Sequence, residues 1–224
     1  MEKYQSISIL YEDNHIIVAV KPANMPSCPD ESKDQDLLTI LKKYLKEKYH
    51  KPGNVYLGLV HRLDRPTEGI MVYAKTSKAA LRLQKQITDK NFKKTYYAVV
   101  EGTPDSQGTL KDYLAKNAKN NTSYITDEKH GKLAVLEYQT IKTIDNLSLV
   151  KIDLLTGRHH QIRVQFSSRH HPLYGDHRYN NKFINDNHED LCLIATDLSF
   201  YHPTTKELLH FKINLPKKYP YTLY

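Results

Sequence analysis

The 224-residue chain has no tryptophan and only two cysteines, Cys28 and Cys192. The two share no metal-type spacing, so the simple reading is reduced thiols in the cytoplasm rather than a disulfide framework. No apolar run approaches the length of a membrane span, and the opening MEKYQSISILYED has no apolar signal core. Acidic residues are outnumbered: 33 Lys and Arg stand against 25 Asp and Glu, a net charge of +8. That balance favours a polyanionic partner, and nucleic acid is the commonest. The 17 tyrosines make up for the missing tryptophan. Each offers a flat apolar ring with a polar tip, suited to base stacking and to wet interfaces. Hydrophobic residues make up 39% of the chain, enough for a packed core. The length fits one catalytic unit with room for two lobes.

ISILYED and HIIVAV read as two short strands around a polar turn, and KPANMPSCPDES, with three prolines, reads as a loop. Leu37, Ile40, Leu41, Tyr44 and Leu45 share one helical face between Asp36 and about Tyr49. GIMVYAK predicts a strand, and Ser77 is placed to cap the helix KAALRLQKQITDK. KKTYYAVVEG predicts a strand by its aromatic and β-branched content. Several more strands follow between residues 108 and 155, including LAVLEYQTI and LSLVKIDLL. HHQIRVQFSSRHH predicts a short helix, NNKFINDNHED a polar loop, and LCLIATDLSFYHP and ELLHFKI the closing strands. Strands outnumber helices and many are hairpin-connected, which predicts an α+β fold with a largely antiparallel sheet.

Four segments could carry chemistry. In HRLDRPTEG, Asp64 sits between Arg62 and Arg65 on a loop, where it could be a nucleophile or base, or a turn residue accepting backbone hydrogen bonds. In GRHHQIRVQ, Gly157 suits a tight turn, and Arg158 and Arg163 supply fixed positive charges able to orient a carboxylate. In KKTYYAVVEG, Tyr96 and Tyr97 point to opposite faces of the strand, so only one can face a given cleft. His159, His160, His170, His171 and His177 form a cluster, but their spacing matches no zinc signature.

Together these segments resemble the RluA-type RNA pseudouridine synthases. HRLDRPTEG is similar to that family's HRLDxxTSG signature, KTYYA to its KxYxA strand, and GRHHQIRV with HPLYGD to GRTHQIRVH with HPxxGD. IIVAVKPANMP resembles its strand and KPxGxP loop, and LIATDLSFYHPTT its late strand and HPxT turn. The motifs occur in the family's order from about residue 9 to 212.

The resemblance implies a mixed, mainly antiparallel sheet in two half-domains flanked by helices, with the catalytic cleft between them. It implies one catalytic domain over residues 1–224. With the first family-like strand near Ile7, a separate N-terminal RNA-binding domain is not expected. It implies that a uridine in rRNA or tRNA is flipped, detached from C1′ of its ribose and rejoined through C5, with no cofactor and no metal. By motif position Asp64 is the nucleophile, Tyr96 the group that takes the C5 proton, and Arg163 the partner of Asp64. Arg62 fills the stack left by the flipped base, and Arg158, His160 and Gln161 lie toward the RNA. The expected protein is a cytoplasmic monomer with no obligatory protein partner and no membrane association. Four positions depart from the pattern: Asn24 for Gly, Glu68 for Ser, His159 for Thr or Ser, and Gln165 for His. The rival readings are an RNA-binding protein without catalysis and a metal-dependent hydrolase built on the histidine cluster.

Overall fold

A computed structural model of the protein describes residues 7–184 and 189–224. Among these the elements run β1 (Ile9–Glu12), β2 (Ile16–Lys21), α1 (Leu37–Lys48), β3 (Gly58–Leu59), β4 (Glu68–Ala74) and α2 (Ser77–Thr88). They continue with β5 (Lys93–Glu101), β6 (Gln107–Asn117), β7 (Thr122–Thr126), β8 (Lys132–Ile144) and β9 (Leu147–Leu154). The last are α3 (Gln161–Ser167), β10 (Leu193–Tyr201), β11 (Leu208–Lys212) and a 3₁₀ turn, Tyr221–Leu223. The fold class is α+β, as the strand count in the sequence predicts. The chain forms two compact units: residues 1–93 with 197–213, and residues 94–196 with 214–224. Part of the polar loop expected at 180–190 lies outside the described residues.

In the first unit the strand order is β1-β2-β4-β10, with β11 on β10 and β3 on β4. Asp13 closes the β1–β2 turn, its Oδ1 accepting the N–H groups of His15 (2.7 Å) and Ile16 (2.8 Å). His202 braces that turn from the HPTT segment. Its Nδ1 accepts the N–H groups of Thr204 and Thr205, so its proton sits on Nε2 and goes to Asp13 Oδ2 at 2.8 Å. The α2 helix lays Ala79, Ala80 and Leu83 on Ile70, Val72, Phe92 and Phe200, and the last two rings stack at 5.4 Å. Burying each large apolar side chain contributes roughly 1.5–3 kcal/mol. Thr76, not Ser77, caps α2, its Oγ1 accepting the Ala79 N–H at 3.1 Å. Two adjacent hydroxyl residues make the cap ambiguous by one position, and only Thr76 has the extended backbone that a cap requires. The helix expected from Asp36 to about Tyr49 is α1, and Asp36 caps it, accepting the Thr39 N–H at 2.9 Å.

In the second unit β5-β9-β8-β6-β7 form an antiparallel sheet. Asp145 and Asn146 turn β8 into β9 with both φ positive (47° and 62°), the two-residue turn whose twist matches that of the strands. Tyr96 lies opposite Ile152, which lies opposite Tyr138, so all three share a face. The α3 helix packs on that face: Phe166 meets the Tyr138 ring at 5.2 Å, and Val164 packs on Leu114 and Ala134. Tyr97 points to the opposite face with Lys151 and Gln139.

Two glycines separate need from convenience. Gly157 has no left-handed φ, so the tight turn expected there is not what requires it. A Cβ at that position would instead crowd Lys94 Nζ at 3.3 Å. Gly175, in the HPLYGD segment, has φ 71°, and a Cβ there would lie 2.0 Å from the Asp190 carbonyl oxygen. Gly175→Ala should therefore destabilise the protein by more than about 2 kcal/mol in a denaturant titration. A loss under about 0.5 kcal/mol would mean that this close approach is not needed.

Candidate active site

In the first unit the residues around Asp64 form a loop between β3 and β4 that is fastened on both sides. Ahead of it, the Ser27 hydroxyl grips buried Leu63 twice, donating to its carbonyl at 2.8 Å and accepting its N–H at 3.1 Å. The Ser27 carbonyl is in turn held by the Tyr73 hydroxyl of β4 at 2.8 Å. Behind it, the Thr67 N–H returns to the Asp64 carbonyl at 3.0 Å, closing a turn through Arg65 and Pro66.

Lys21 locks that turn. Its side chain is fully buried at the end of β2. Nζ donates to the carbonyls of Pro22 (2.8 Å), Met25 (2.6 Å) and Arg65 (2.9 Å). One ammonium thus joins the Pro-rich loop to the Asp64 loop. Burying a charge is expensive unless its hydrogen bonds are met, and here three N–H groups meet three carbonyls. Burial pushes the Lys21 amine down to about 7, opposed by the nearby charges of Asp64 and Glu68. Lys21 is paired with Gly69 in the β2–β4 ladder, so Glu68 is one residue from that pairing. The acid at a position where the family pattern has Ser is therefore part of the counter-charge for a buried lysine.

Asn24 also has a physical account. Its φ is 61°, a left-handed conformation that Gly adopts freely and Asn tolerates best among other residues. Gly69, directly after Glu68, has φ 139°, which only glycine adopts readily. Arg65 fans over the adjoining loop, with Nη2 on the Asp34 carboxylate and on Ser32 Oγ, the latter at 3.2 Å. Arg62 is exposed and Asp64 half-buried.

In the second unit, buried Arg163 forks onto buried Asp176. Nε donates to Oδ2 at 2.8 Å and Nη2 to Oδ1 at 2.7 Å, a two-pronged pair that fixes the guanidinium plane. Asp176 Oδ1 also accepts the Arg178 N–H at 2.9 Å. The Tyr179 ring lies 5.2 Å from the guanidinium carbon, adding a cation–π contact. Tyr96 is 5% exposed, on the sheet face that carries α3. Lys94 precedes it by two residues on that face, and burial pushes its amine down to about 8.

The two histidines before α3 are built into the same unit. Ser123 Oγ donates to the His159 carbonyl at 2.8 Å, so His159 Nδ1 donates to Oγ at 2.9 Å. Tyr179 Oη accepts the Ser123 N–H at 2.6 Å and shares a hydrogen bond with His160 Nδ1 at 2.9 Å. The two imidazoles stack at 3.7 Å. Burial lowers the His160 pKa to about 2, helped by Arg163, His159, Arg178 and Lys116, so this ring stays neutral at any working pH. His160 holds φ 52° at the N-terminus of α3. Gln161 Oε1 accepts from the Thr156 hydroxyl (2.7 Å) and the Arg158 N–H (3.0 Å), which fixes the amide orientation. Gln161 Nε2 has no hydrogen-bond partner among the described residues. Gln165, standing for the family's His, still supplies an N–H, donating to Asp112 Oδ2 at 2.6 Å.

Of the positions expected toward RNA, Arg62 and Arg158 are exposed, whereas His160 and Gln161 are buried in their own hydrogen bonds. The histidine cluster is divided among separate tasks, with His171 on the Glu101 carbonyl and His177 on that of Glu189. Among the described residues no group of three or more His, Cys, Asp or Glu is placed to hold a metal ion. Lys21, Asp176 and Tyr179 emerge only from the structure. A lysine ending the wholly apolar run IIVAV was the available signal for the first, and the last had none.

The shift at Lys21 has a testable sign. Its folded pKa lies near 7 against an ordinary 10.5. Below pH 7 both folded and unfolded chains hold the proton, and the burial cost is present in full. Between pH 7 and 10.5 the unfolded chain holds a proton that the folded chain has released, so stability rises with pH, by up to ~1.4 kcal/mol per unit. Denaturant titrations from pH 6 to 9 should show the wild type gaining stability relative to Lys21→Met. A constant difference would show that Lys21 does not titrate in this window.

A family profile described as RNA pseudouridylate synthase matches residues 15–168. Over 222 residues the chain is 34% identical to the ribosomal large subunit pseudouridine synthase D of Zymomonas mobilis, covering 94% of this chain and 70% of that protein. It is 34% identical over 224 residues to an RNA pseudouridine synthase of Aquifex aeolicus, covering 95% and 71%. Human RNA pseudouridylate synthase domain containing 4 shares the fold, with a TM-score of 0.78 at 22% identity over 94% of this chain and 89% of that one. Human RNA pseudouridylate synthase domain containing 1 does so with a TM-score of 0.76 at 24% identity over 96% and 86%. With the HRLD, KTYYA and GRHHQIRV segments in their order and the Asp64 loop braced as described, the chain belongs to the RluA-type RNA pseudouridine synthases, a family of isomerases.

Proposed function

We propose that this protein converts uridine to pseudouridine in structured RNA, with Asp64 as the nucleophile. The observation that carries this reading is the fastening of the Asp64 loop by Lys21 and Ser27. A reacting carboxylate must hold one position while the rest of its site changes, and a loop tied through buried bonds meets that need. The names of relatives such as the ribosomal large subunit synthase D make ribosomal RNA the first substrate to test.

The reaction is an isomerisation. The C1′–N1 bond breaks, the freed uracil turns, C1′ bonds to C5, and the C5 proton leaves while N1 gains one. Asp64 attacks as the carboxylate. Arg163, whose plane is set by Asp176, serves as the positive charge that keeps it ionised. Tyr96 takes the C5 proton. A uridine must leave its stack first, at a cost of roughly a few kcal/mol, and exposed Arg62 offsets part of that by occupying the gap. We read the chain as one catalytic domain that works as a cytoplasmic monomer, without cofactor, metal or obligatory protein partner.

In a tritium-release assay on ribosomal RNA, Asp64→Asn should lose at least ~10⁴-fold in turnover while keeping the wild-type circular dichroism spectrum. Tyr96→Phe should bind RNA normally and fail to release the C5 proton. Full activity in Asp64→Asn would remove the nucleophile assignment, and normal turnover in Tyr96→Phe would remove the proton-transfer role.

A further inference from the structure

The first unit carries a second feature suited to RNA, away from the Asp64 loop in sequence. Thr39, Lys42, Lys43 and Lys46 of α1 face Asn54 and Val55 across an open groove of about 470 Å³. Lys42 and Lys46 are four residues apart, so they are neighbours on the helix surface. Neither has an ion-pair partner among the described residues. Like charges at this spacing weaken a helix, so folding alone does not favour the pair. Three other lysines of this unit are matched to acids, Lys48 and Lys75 to Glu12 and Lys85 to Asp89, while Lys33, Lys51, Lys78 and Lys90 stand singly rather than paired on one helix face. Lys42 and Lys46 thus set at this groove two positive charges without an ion-pair partner among the described residues, next to a hydroxyl and a carboxamide.

Both walls lead back to the catalytic loop. The α1 helix begins where Leu37 donates to the Pro26 carbonyl at 3.0 Å, next to the Ser27 that grips Leu63. The Asn54–Val55 wall runs directly into β3 and then into the loop of Asp64. Lys42 and Lys46 lie five and nine residues into α1 from Leu37, roughly 8 and 14 Å along its axis at 1.5 Å per residue.

We propose that this groove binds backbone phosphates of the substrate RNA flanking the target uridine, with Lys42 and Lys46 as the principal contacts. It is a positioning site that reads charge rather than sequence. The lysines grip the strand through counterion release while Thr39 and Asn54 offer hydrogen bonds to phosphate or ribose oxygens. This rests on the chain acting on RNA as proposed above.

The test uses the full chain, ribosomal RNA fragments, and the double variants Lys42→Gln/Lys46→Gln and Lys42→Glu/Lys46→Glu. Wild-type pseudouridine formation is measured first, and its absence would refute the proposed function. Given wild-type activity, the Gln pair should raise KM about tenfold at ~0.1 M salt with kcat retained at saturating RNA, and the Glu pair more. The slope of log affinity against log salt should become shallower by about 1.5–2. Thermal unfolding of the Gln pair should occur at or above the wild-type midpoint, since a repulsion is removed. An unchanged KM and salt slope in both variants would overturn the groove assignment and leave the activity standing. So would an equal loss in kcat with an unaltered slope, because that pattern marks damage to the site rather than lost phosphate contacts.

Discussion

The Asp64 loop depends on one buried ammonium. Lys21 sits where β2 ends, with no exposed surface, and its three N–H groups reach carbonyls on two separate segments. Removing any of the three would leave a buried donor without an acceptor, at a cost of about 1–3 kcal/mol. This explains several neighbours at once. The Pro-rich loop must bend back on Lys21, which places Asn24 in the left-handed region. The Arg65 carbonyl must turn inward, which leaves its guanidinium to meet Asp34 and Ser32 on the outside. Glu68 adds negative charge near the buried lysine and so offsets part of its desolvation.

The second unit uses a comparable device with signs reversed. Asp176 is a fully buried carboxylate whose oxygens accept from the Arg163 fork and from the Arg178 and Tyr179 N–H groups. A buried ion pair contributes little net stability compared with an apolar pair, but it holds a guanidinium in one plane. Tyr179 stacks on that guanidinium and, through its hydroxyl, hydrogen-bonds to His160 Nδ1. The surrounding hydrogen bonds give Arg163 a direction, which is what a counter-charge in catalysis needs more than strength.

The strand-rich α+β class, the α1 face and the short α3 were all legible from periodicity, because burial imposes it. The motif order pointed to Asp64, Tyr96 and Arg163. What pattern could not show was how each is held. Asp176, which fixes the Arg163 plane, lies thirteen residues along, in a segment noted only for its motif, and Ser123 reaches His159 from a strand with no signal of its own. Asn24 looked like a defect in the pattern until its φ was known. Glu68 was unexplained because its neighbour Lys21 comes from another strand. His160 and Gln161 were placed toward the RNA by motif position alone, and no periodicity signalled that packing buries both.

The central claim is that the chain modifies uridines through Asp64. The most direct test is a transcriptome-wide chemical map of pseudouridine in cells with this gene deleted, complemented with the wild type or left empty. The account predicts one or more uridines in structured RNA that lose their pseudouridine signal on deletion and regain it with the wild-type gene. An identical map in both strains would contradict it and favour a protein that binds RNA without altering it.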